Sequence, residues 1–332
     1  MLKTSGNLAI FLKKLKKGHF SDAFVVCLVF VIYKYSLLDF FLRYNFKKFK
    51  AKLFNQNKIL VEGNKMRVNW QDLGLSKEIV AYGRREIFST DYFKHSIKKE
   101  EILLDIGANI GYYTLIAAKK ARKGKIYAVE PVKENIKVLK ENIDLNDCKN
   151  CLIFALAISS RNAKSNIYVH EKKNWSSFNK LPGKSKKQLT RTMTLDKFIK
   201  NEINKTPSFI KMDVEGHELE ILIGAKNTLK NAKKLRIMVE IHPHYLGEQK
   251  IDKFLSILEK NSFKIEKIIL EVSPRLYHYR GLYNRYRRIF NILPFGPVDK
   301  KYYTYTKLSE LLKKKNSSGS SIYFPQVIFE KI

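Results

Sequence analysis

The sequence predicts an α/β protein with a doubly wound, mostly parallel sheet of seven strands and a helical arm at its N-terminus. Two observations support this fold class: short apolar runs alternate with helical stretches from Glu101 onwards, and several of these runs end in an acidic residue. Strands that alternate with helices form parallel sheets through right-handed crossovers. Hydrophobic residues make up 45% of the 332 residues, which excludes a wholly disordered protein.

Seven strands and four helices are expected in the core. The strands are expected at 102–105, 125–130, 152–155, 209–213, 235–241, 263–271 and 322–331. The helices are expected at 112–121, 133–145, 218–231 and 251–260. The second helix is the clearest, because Ile136, Leu139 and Ile143 repeat on one face at helical spacing.

Acidic residues follow the expected strands at the positions where parallel strands bind ligands. Asp105 ends the first strand, and Gly107 and Gly111 in the turn after it let a ligand approach the backbone. Glu130 ends the second strand, where an acid accepts hydrogen bonds from ribose hydroxyls. Two further strand ends carry Asp213, Glu215, Glu240 and His242.

The glycine turn differs from the dinucleotide-binding motif G-x-G-x-x-G. Its sequence is GANIG, so Asn109 stands where the motif has the glycine that makes room for a pyrophosphate. An adenosyl ligand without phosphates fits this turn better. The carboxylate of Asp105 beside the turn suits a cationic amino group.

Several separated segments occur in the order typical of one enzyme family. They are LGLSKEIVAYGRREIF, ILLDIGANIGYYT, YAVEP, FIKMDVEGHELEILIGA and VEIHP. Over residues 68–271 the chain therefore resembles the FkbM-type S-adenosylmethionine-dependent methyltransferases. The resemblance implies a class I methyltransferase fold, S-adenosylmethionine as cofactor, and O-methylation of a sugar, polyketide or similar hydroxyl compound.

The resemblance also implies roles for individual residues. It gives cofactor contacts to Asp105, Gly107, Ala108, Asn109, Gly111, Tyr112, Glu130, Pro131 and Asp213. Among these, the residues of the glycine turn and Asp105 are expected at the methionine end, and Glu130 at the ribose. Asp213 and Glu215 are expected to face the transferred methyl group.

A hydroxyl acceptor needs a base that takes its proton. The candidates are Asp213, Glu215, His217, Glu240 and His242. His217 has the ordinary pKa best suited to a base, but a residue at a helix start also fits a capping or solvated role. Glu240 and His242 fit a structural network at a strand end equally well. No dedicated metal-ligand spacing occurs, so we expect no resident metal.

The N-terminal arm is basic and apolar. Residues 1–52 carry 11 Lys and Arg against two acids, and residues 23–33 form an unbroken apolar run. A spanning helix needs about 20 residues; residues 23–42 reach this length but place Lys34 near the centre, at about 3 kcal/mol. A spanning helix, an interfacial helix and an arm packed on the domain all remain open. A cleaved signal peptide lacks its small-residue cleavage site.

The net charge of +33 favours an anionic partner, although a lysine-rich surface can also reflect composition alone. In the insert at 275–320, arginines alternate with tyrosines (RLYHYRGLYNRYRR). Such a surface suits RNA, a membrane interface, a lid, or a cover packed on the sheet. The alternatives to a glycan methyltransferase are therefore an RNA methyltransferase and a non-catalytic membrane- or polyanion-binding protein.

Five regions follow from these patterns. They are the membrane-associating arm (1–53), a segment that caps the core (54–100), the cofactor-binding core (101–274), the insert (275–320) and the last core strand (321–332). The partners expected are a small-molecule or glycan acceptor and a membrane that contacts residues 23–42. Three cysteines make no disulfide framework, so the catalytic domain is expected on the cytoplasmic side.

Overall fold

The computed structural model describes residues 20–53, 58–68, 70, 75–170, 176–179, 183–289, 292–314 and 325–332. The helices are α1 (Phe20–Leu53), α2 (Leu75–Tyr82), α3 (Ile87–Ser96), α4 (Tyr112–Lys120), α5 (Lys133–Leu145), α6 (Leu195–Phe198), α7 (Glu218–Ile223), α8 (Lys226–Asn231), α9 (Pro243–Leu246), α10 (Glu248–Lys260), α11 (Arg280–Ile289) and α12 (Tyr305–Lys313). The strands are β1 (Lys58–Val61), β2 (Asn64–Arg67), β3 (Ile102–Ile106), β4 (Lys125–Val129), β5 (Cys151–Phe154), β6 (Ala157–Ile158), β7 (Ala163–His170), β8 (Ser185–Met193), β9 (Phe209–Met212), β10 (Leu235–Glu240), β11 (Lys264–Leu270), β12 (Gly296–Pro297) and β13 (Gln326–Lys331).

The central sheet has the strand order β12-β11-β13-β10-β9-β3-β4-β5. Strands β10, β9, β3, β4 and β5 are parallel, and β13 is antiparallel to both β10 and β11. The predicted doubly wound, mostly parallel sheet is therefore confirmed. The predicted count of seven strands is one short, because the two-residue β12 of the insert pairs with the edge of β11.

Both faces of the sheet are covered, as expected for parallel strands. Along β3 and β9, alternate residues enter two separate apolar clusters: Leu104 and Ile210 pack in one, Leu103 and Phe209 in the other. The carboxyl edge of the parallel strands, where such sheets bind ligands, is open.

The prediction of a single helix over 218–231 is wrong, because the structure has two helices there, α7 and α8. The break occurs at Gly224, where a Cβ atom would lie 2.1 Å from the carbonyl oxygen of Ser159. The close approach of Ser159 explains why a glycine occupies this position, and the carbonyl oxygen of Gly224 accepts a hydrogen bond from Asp196 N (3.0 Å). The loop around Ser159 leads into a second sheet of order β6-β8-β7, which was not anticipated. Its strands are polar and only partly buried, so their period-two pattern is weak.

The capping segment is attached to the core through Asn142 of α5. The fully buried Asn142 side chain accepts a hydrogen bond from Arg67 N (2.6 Å) and donates to Ile110 O (2.8 Å) and Arg67 O (3.2 Å). It therefore links the β1–β2 hairpin, the helix and the turn after β3.

We expect Asn142→Ala to lower the free energy of unfolding by about 2–3 kcal/mol, because buried backbone groups lose their partners. The matched control is Asn146→Ala, whose side chain bonds the same hairpin at Lys65 in a more exposed position. It should cost less than half as much. Urea unfolding of both variants measures the difference, and equal losses would contradict the role given to Asn142.

The insert packs against α1. Val25, Val26 and Val29 of α1 form an apolar cluster with residues that include Tyr283 and Tyr286 of α11. Two of the tyrosines that alternate with arginine are thus buried in a contact inside the protein. Among the described residues, α1 is the one helix long and apolar enough by length and composition to cross a membrane; its most apolar window has a mean hydropathy of 2.0 and is 22% buried.

Candidate active site

Two adjoining clefts open at the carboxyl edge of the sheet. The first lies between the ends of β3 and β4 and the segment 176–178. The second lies towards Arg85 and α4. Gly107, Asn109, Asp213 and Glu215 line both clefts. One ligand can therefore occupy both clefts, or two ligands can lie side by side in them.

Gly107 brings the turn after β3 against the end of β9. Its φ of 83° lies in the left-handed region, and a Cβ atom would lie 2.0 Å from the carbonyl oxygen of Asp213. No side chain fits there without separating the two strand ends. The close approach sets the floor shared by the two clefts.

Glu130 holds this turn and also faces the first cleft. Its carboxylate accepts hydrogen bonds from Asn109 N (2.9 Å), Val132 N (2.9 Å) and Asn135 Nδ2 (3.2 Å). A carboxylate has about four acceptor sites, so capacity remains for a ribose hydroxyl. Burial raises the pKa of Glu130 to about 7.

Asp105 lies at the bottom of the second cleft. Its Oδ2 accepts a hydrogen bond from Thr114 Oγ1 (2.6 Å), whereas its buried Oδ1 has no hydrogen-bond partner among the described residues. Burial raises the pKa of Asp105, although Lys211 opposes this shift. A buried acceptor without a donor suits the ammonium group of an amino acid moiety.

The candidate base residues at the ends of β9 and β10 form one cluster around His242. The Nδ1 atom of His242 lies 2.8 Å from Glu218 Oε1, and its Nε2 atom lies 3.4 Å from Glu215 Oε2 and 3.9 Å from Glu240 Oε1. Asp213 ends β9 beside them, with Oδ2 3.5 Å from Lys211 Nζ. The structure thus brings four of the five candidate bases together.

The members of this cluster differ in how readily they hold a proton. Burial raises the pKa of Glu215 to about 8. Burial opposes ionisation of Asp213 too, but Lys211, His242 and Arg85 hold the pKa of Asp213 below its ordinary value. Burial disfavours the charged form of His242, yet Glu215 and Glu218 hold its pKa well above the ordinary value.

Three members of the site were missed in the sequence. Lys211 is 2% exposed inside β9, and its Nζ lies 4.4 Å from the ring centroid of Tyr113. A lysine in an otherwise apolar core strand is a signal that was available. Arg85 lines the second cleft and Glu218 is fully buried against His242, but only the fold shows where these two side chains lie.

Some site atoms lie close enough to share a cation. Asp213, Glu215 and His242 have ligand atoms within 4.8 Å of one another, as do Glu86, Asp213 and Glu240. Arg85 and Lys211 already place positive side-chain charge beside these acids.

His217 lies apart from the other candidate bases. Its ring stacks on Phe178 at 4.3 Å between centroids, and its Nε2 lies 3.0 Å from Ser159 Oγ. It contributes to the wall of the first cleft. Burial lowers the pKa of His217 from 6.5 to about 4.

This lowered pKa predicts a pH-dependent stability. Between pH 6.5 and 4 the unfolded chain binds a proton at His217 that the folded chain does not bind, so acidification favours unfolding. The effect is at most about 3 kcal/mol and is reduced by residual solvent contact. Urea unfolding at the two pH values should show a smaller acid loss in His217→Gln than in the parent. Exposed His95→Gln should leave the loss in place, and an unchanged loss in His217→Gln would contradict the shift.

The first cleft fits an adenosyl group. Pro131, Val132, Ile158 and Phe178 supply apolar walls, and the carboxylate of Glu130 lies at its edge. The second cleft offers the unpartnered Oδ1 of Asp105. The donor and acceptor set along both clefts therefore suits S-adenosylmethionine, which carries an amino acid end as well as the nucleoside.

Comparisons with known proteins agree with this assignment. Residues 105–265 match the Methyltransferase FkbM domain family. The hexuronic acid methyltransferase AglP of Haloferax volcanii is 26% identical over 145 residues, which cover 44% of this chain. The match spans 57% of the length of that relative.

Solved structures with a similar arrangement are distant. M. jannaschii TYW2 in complex with AdoMet has a TM-score of 0.40 at 15% identity, covering 83% of this chain and 86% of its own. An rRNA methylase from Streptococcus thermophilus has a TM-score of 0.38 at 11% identity, covering 75% of this chain and 97% of its own. The family match over residues 105–265 confirms the resemblance, and with it the predicted class of domain and its cofactor.

Proposed function

Because residues 105–265 belong to the FkbM methyltransferase domain family, we propose that the chain transfers a methyl group from S-adenosylmethionine to a hydroxyl of a sugar or glycan. The observation that carries the proposal is the cluster of Asp213, Glu215, Glu240 and His242 beside the cofactor clefts. The similarity to a hexuronic acid methyltransferase supports a sugar acceptor.

The cofactor-binding part of the proposal rests on the two clefts. Glu130 would hold the ribose, the turn at Gly107 would support the ligand, and Asp105 would accept a hydrogen bond from its amino group. When bound, S-adenosylmethionine supplies a methyl group on a positively charged sulfur. The sulfur leaves readily as a neutral sulfide, in S-adenosylhomocysteine, when the methyl group is transferred. The protein then has to align the acceptor with that methyl group and remove the acceptor's proton.

We assign the proton transfer to Glu215. Its carboxylate lines both clefts, and its pKa of about 8 is close to the working pH that favours a general base. Asp213, with its lowered pKa, is a weaker base and serves as a hydrogen-bond acceptor for the acceptor sugar. His242 lies between Glu215 and Glu218 and orients the base.

A base in the site favours a hydroxyl over a carboxylate acceptor. Glu215, with a pKa of about 8, is suited to take a proton from an acceptor. A carboxylate acceptor has no proton to lose, so its methylation does not need a general base. A sugar hydroxyl has the proton that such a base removes.

The product distinguishes the two acceptor groups. Transfer of labelled methyl from S-adenosylmethionine to glucuronic acid-containing oligosaccharides, and to matched glucose oligosaccharides, is followed before and after mild alkali. An ether at a hydroxyl survives alkali, whereas a methyl ester is hydrolysed. Alkali-stable label on either series supports the proposal; label found only in an alkali-labile ester would overturn the role of the base.

We also place this reaction at the cytoplasmic face of a membrane. The apolar helix α1 supports membrane contact, and the unpaired state of Cys27, Cys148 and Cys151 fits a reducing compartment. The burial of Tyr283 and Tyr286 against α1 leaves fewer aromatic rings of the insert for stacking on RNA bases. A glycan or lipid-linked saccharide is therefore favoured over RNA.

A further inference from the structure

The helix α1 carries two apolar faces. Eight side chains, each between 55% and 68% exposed, form one apolar stripe: Phe24, Val31, Tyr35, Leu38, Leu42, Phe46, Phe49 and Leu53. At 3.6 residues per turn each residue advances by about 100°, so all eight lie within about 80° of the helix circumference. The stripe is about 44 Å long. Exposed apolar surface of this extent marks a contact with a partner or a membrane.

The opposite face of α1 is packed on the domain over about two thirds of the helix length. Near its start, Val25 and Val29 lie in the cluster with α11, and the Arg275 guanidinium lies 5.1 Å from the ring centroid of Tyr33. Further along, Phe40 stacks on Tyr82 at 6.2 Å between centroids.

Two hydrogen bonds extend this packing towards the end of the helix. The hydroxyl of Tyr44 donates to Trp70 O (3.0 Å), and Lys47 Nζ donates to Ala81 O (3.3 Å). The contacts with the domain therefore run from Val25 to Lys47, a distance of about 33 Å.

This packing excludes a helix that crosses the bilayer. The hydrocarbon core is about 30 Å thick, so a spanning α1 would draw the polar elements packed against it into hydrocarbon. Arg275 and the backbone carbonyls of Ala81 and Trp70 would lie there with them. Within the described residues, α1 meets a membrane only along its length.

Basic side chains border the stripe on both sides. Exposed Lys34 and Lys52 lie about 80° from its centre on one side. Exposed Lys50 and Arg43, the latter ion-paired with Asp39 at 2.8 Å, lie about 80–100° from it on the other. At these positions long basic side chains keep their charge in the headgroup layer while the stripe enters the acyl boundary. Lys34, which is unfavourable at the centre of a spanning helix, is accommodated in this arrangement.

We propose that α1 lies flat in the interface of an anionic phospholipid bilayer, with the apolar stripe in the lipid and the catalytic domain on its other side. The chain is then a protein of one membrane leaflet and has no transmembrane segment within the described residues. This inference depends on the contacts of α1 and not on the proposed reaction.

Binding to vesicles tests the surface. The full chain should float with vesicles of phosphatidylcholine and phosphatidylserine and bind at least tenfold less to phosphatidylcholine alone at physiological salt. The double variant Leu38→Glu, Leu42→Glu should bind the anionic vesicles at least tenfold less than the parent. The matched control Leu152→Glu, Leu189→Glu adds the same charges at exposed leucines elsewhere and should bind as the parent does.

Depth measurements distinguish a flat helix from a spanning one. Single fluorophores at Val31→Cys, Leu42→Cys and Phe49→Cys, in a chain whose own three cysteines are serine, are quenched by lipid-attached quenchers. A flat helix gives all three labels the same shallow depth. A deep label at Val31 with Phe49 in water would overturn the proposal. A stable dimer that loses vesicle binding would also overturn it, by assigning the stripe to a second copy.

Discussion

Gly107→Ala is expected to weaken binding of S-adenosylmethionine at least 100-fold, about 2.7 kcal/mol. The added Cβ would lie 2.0 Å from Asp213 O and 3.0 Å from its carbonyl carbon, so backbone and not a flexible side chain must move. That movement separates the end of β3 from the end of β9, and both clefts share this floor. Isothermal titration measures the loss.

The control for backbone strain is Gly247→Ala. Gly247 has a φ of 76°, close to the 83° of Gly107, but a Cβ atom there has no neighbour within 4 Å. With a ψ of 161° it lies in a backbone region nearly restricted to glycine, so the variant carries that strain, about 1–3 kcal/mol of stability, without the collision. Its affinity for S-adenosylmethionine should stay within threefold of the parent. Equal losses of affinity in both variants would contradict the close approach as the cause.

Glu215→Gln is expected to lower kcat by about 10²–10⁴-fold while affinity for S-adenosylmethionine changes little, because the variant keeps the shape of the residue and loses the base. The pH profile gives the second signature. With its pKa raised to about 8, Glu215 is mostly protonated below that pH and accepts no proton, so kcat/KM should rise with pH and level off above about 8. Glu215→Gln should lose this rise.

The control for general disturbance of the cluster is Glu240→Gln. Glu240 accepts from Gln326 and lies 3.9 Å from His242 Nε2, so the change removes one charge without removing the proposed base. It should retain the rise of kcat/KM with pH, shifted to lower pH because a neighbouring negative charge is gone. A rise that persists in Glu215→Gln and disappears in Glu240→Gln would assign the base to Glu240.

The sequence indicated the core because local pattern and global fold agree there. The apolar runs before Asp105, Glu130 and Asp213 are short and bounded, so their strand ends and the acids on them could be placed. The helix predicted over 218–231 is an exception. It breaks at Gly224, where only a residue without a side chain admits the carbonyl oxygen of Ser159; the glycine itself was the sign of this in the sequence.

Part of the candidate site could be predicted from the sequence for the same reason. Four of the five candidate bases converge because parallel strands end at one edge. His217 was grouped with them by its place in the DVEGH segment, but the turn at Gly216 directs its ring towards Phe178. Arg85 lies in the segment before the core, between α2 and α3, and reaches the second cleft through the packing of these helices.

The composition of the N-terminal arm alone does not distinguish a spanning helix from an interfacial one. Length and hydropathy fit a spanning helix and an interfacial helix equally, and both expectations used residues 23–42. The proposed flat placement of α1 rests on contacts at Arg275, Tyr82 and Trp70, none of which a helical period can indicate.

The most direct test of the central claim is a calorimetric titration of S-adenosylmethionine into the full-length protein and into Glu130→Ala. The parent should bind one equivalent, and the variant should bind at least tenfold more weakly, because it loses the ribose acceptor and the support of Asn109 N. Circular dichroism of both proteins controls for folding. A folded parent that binds no S-adenosylmethionine, or a folded variant that binds it as tightly as the parent, would contradict the assignment of these clefts to the cofactor.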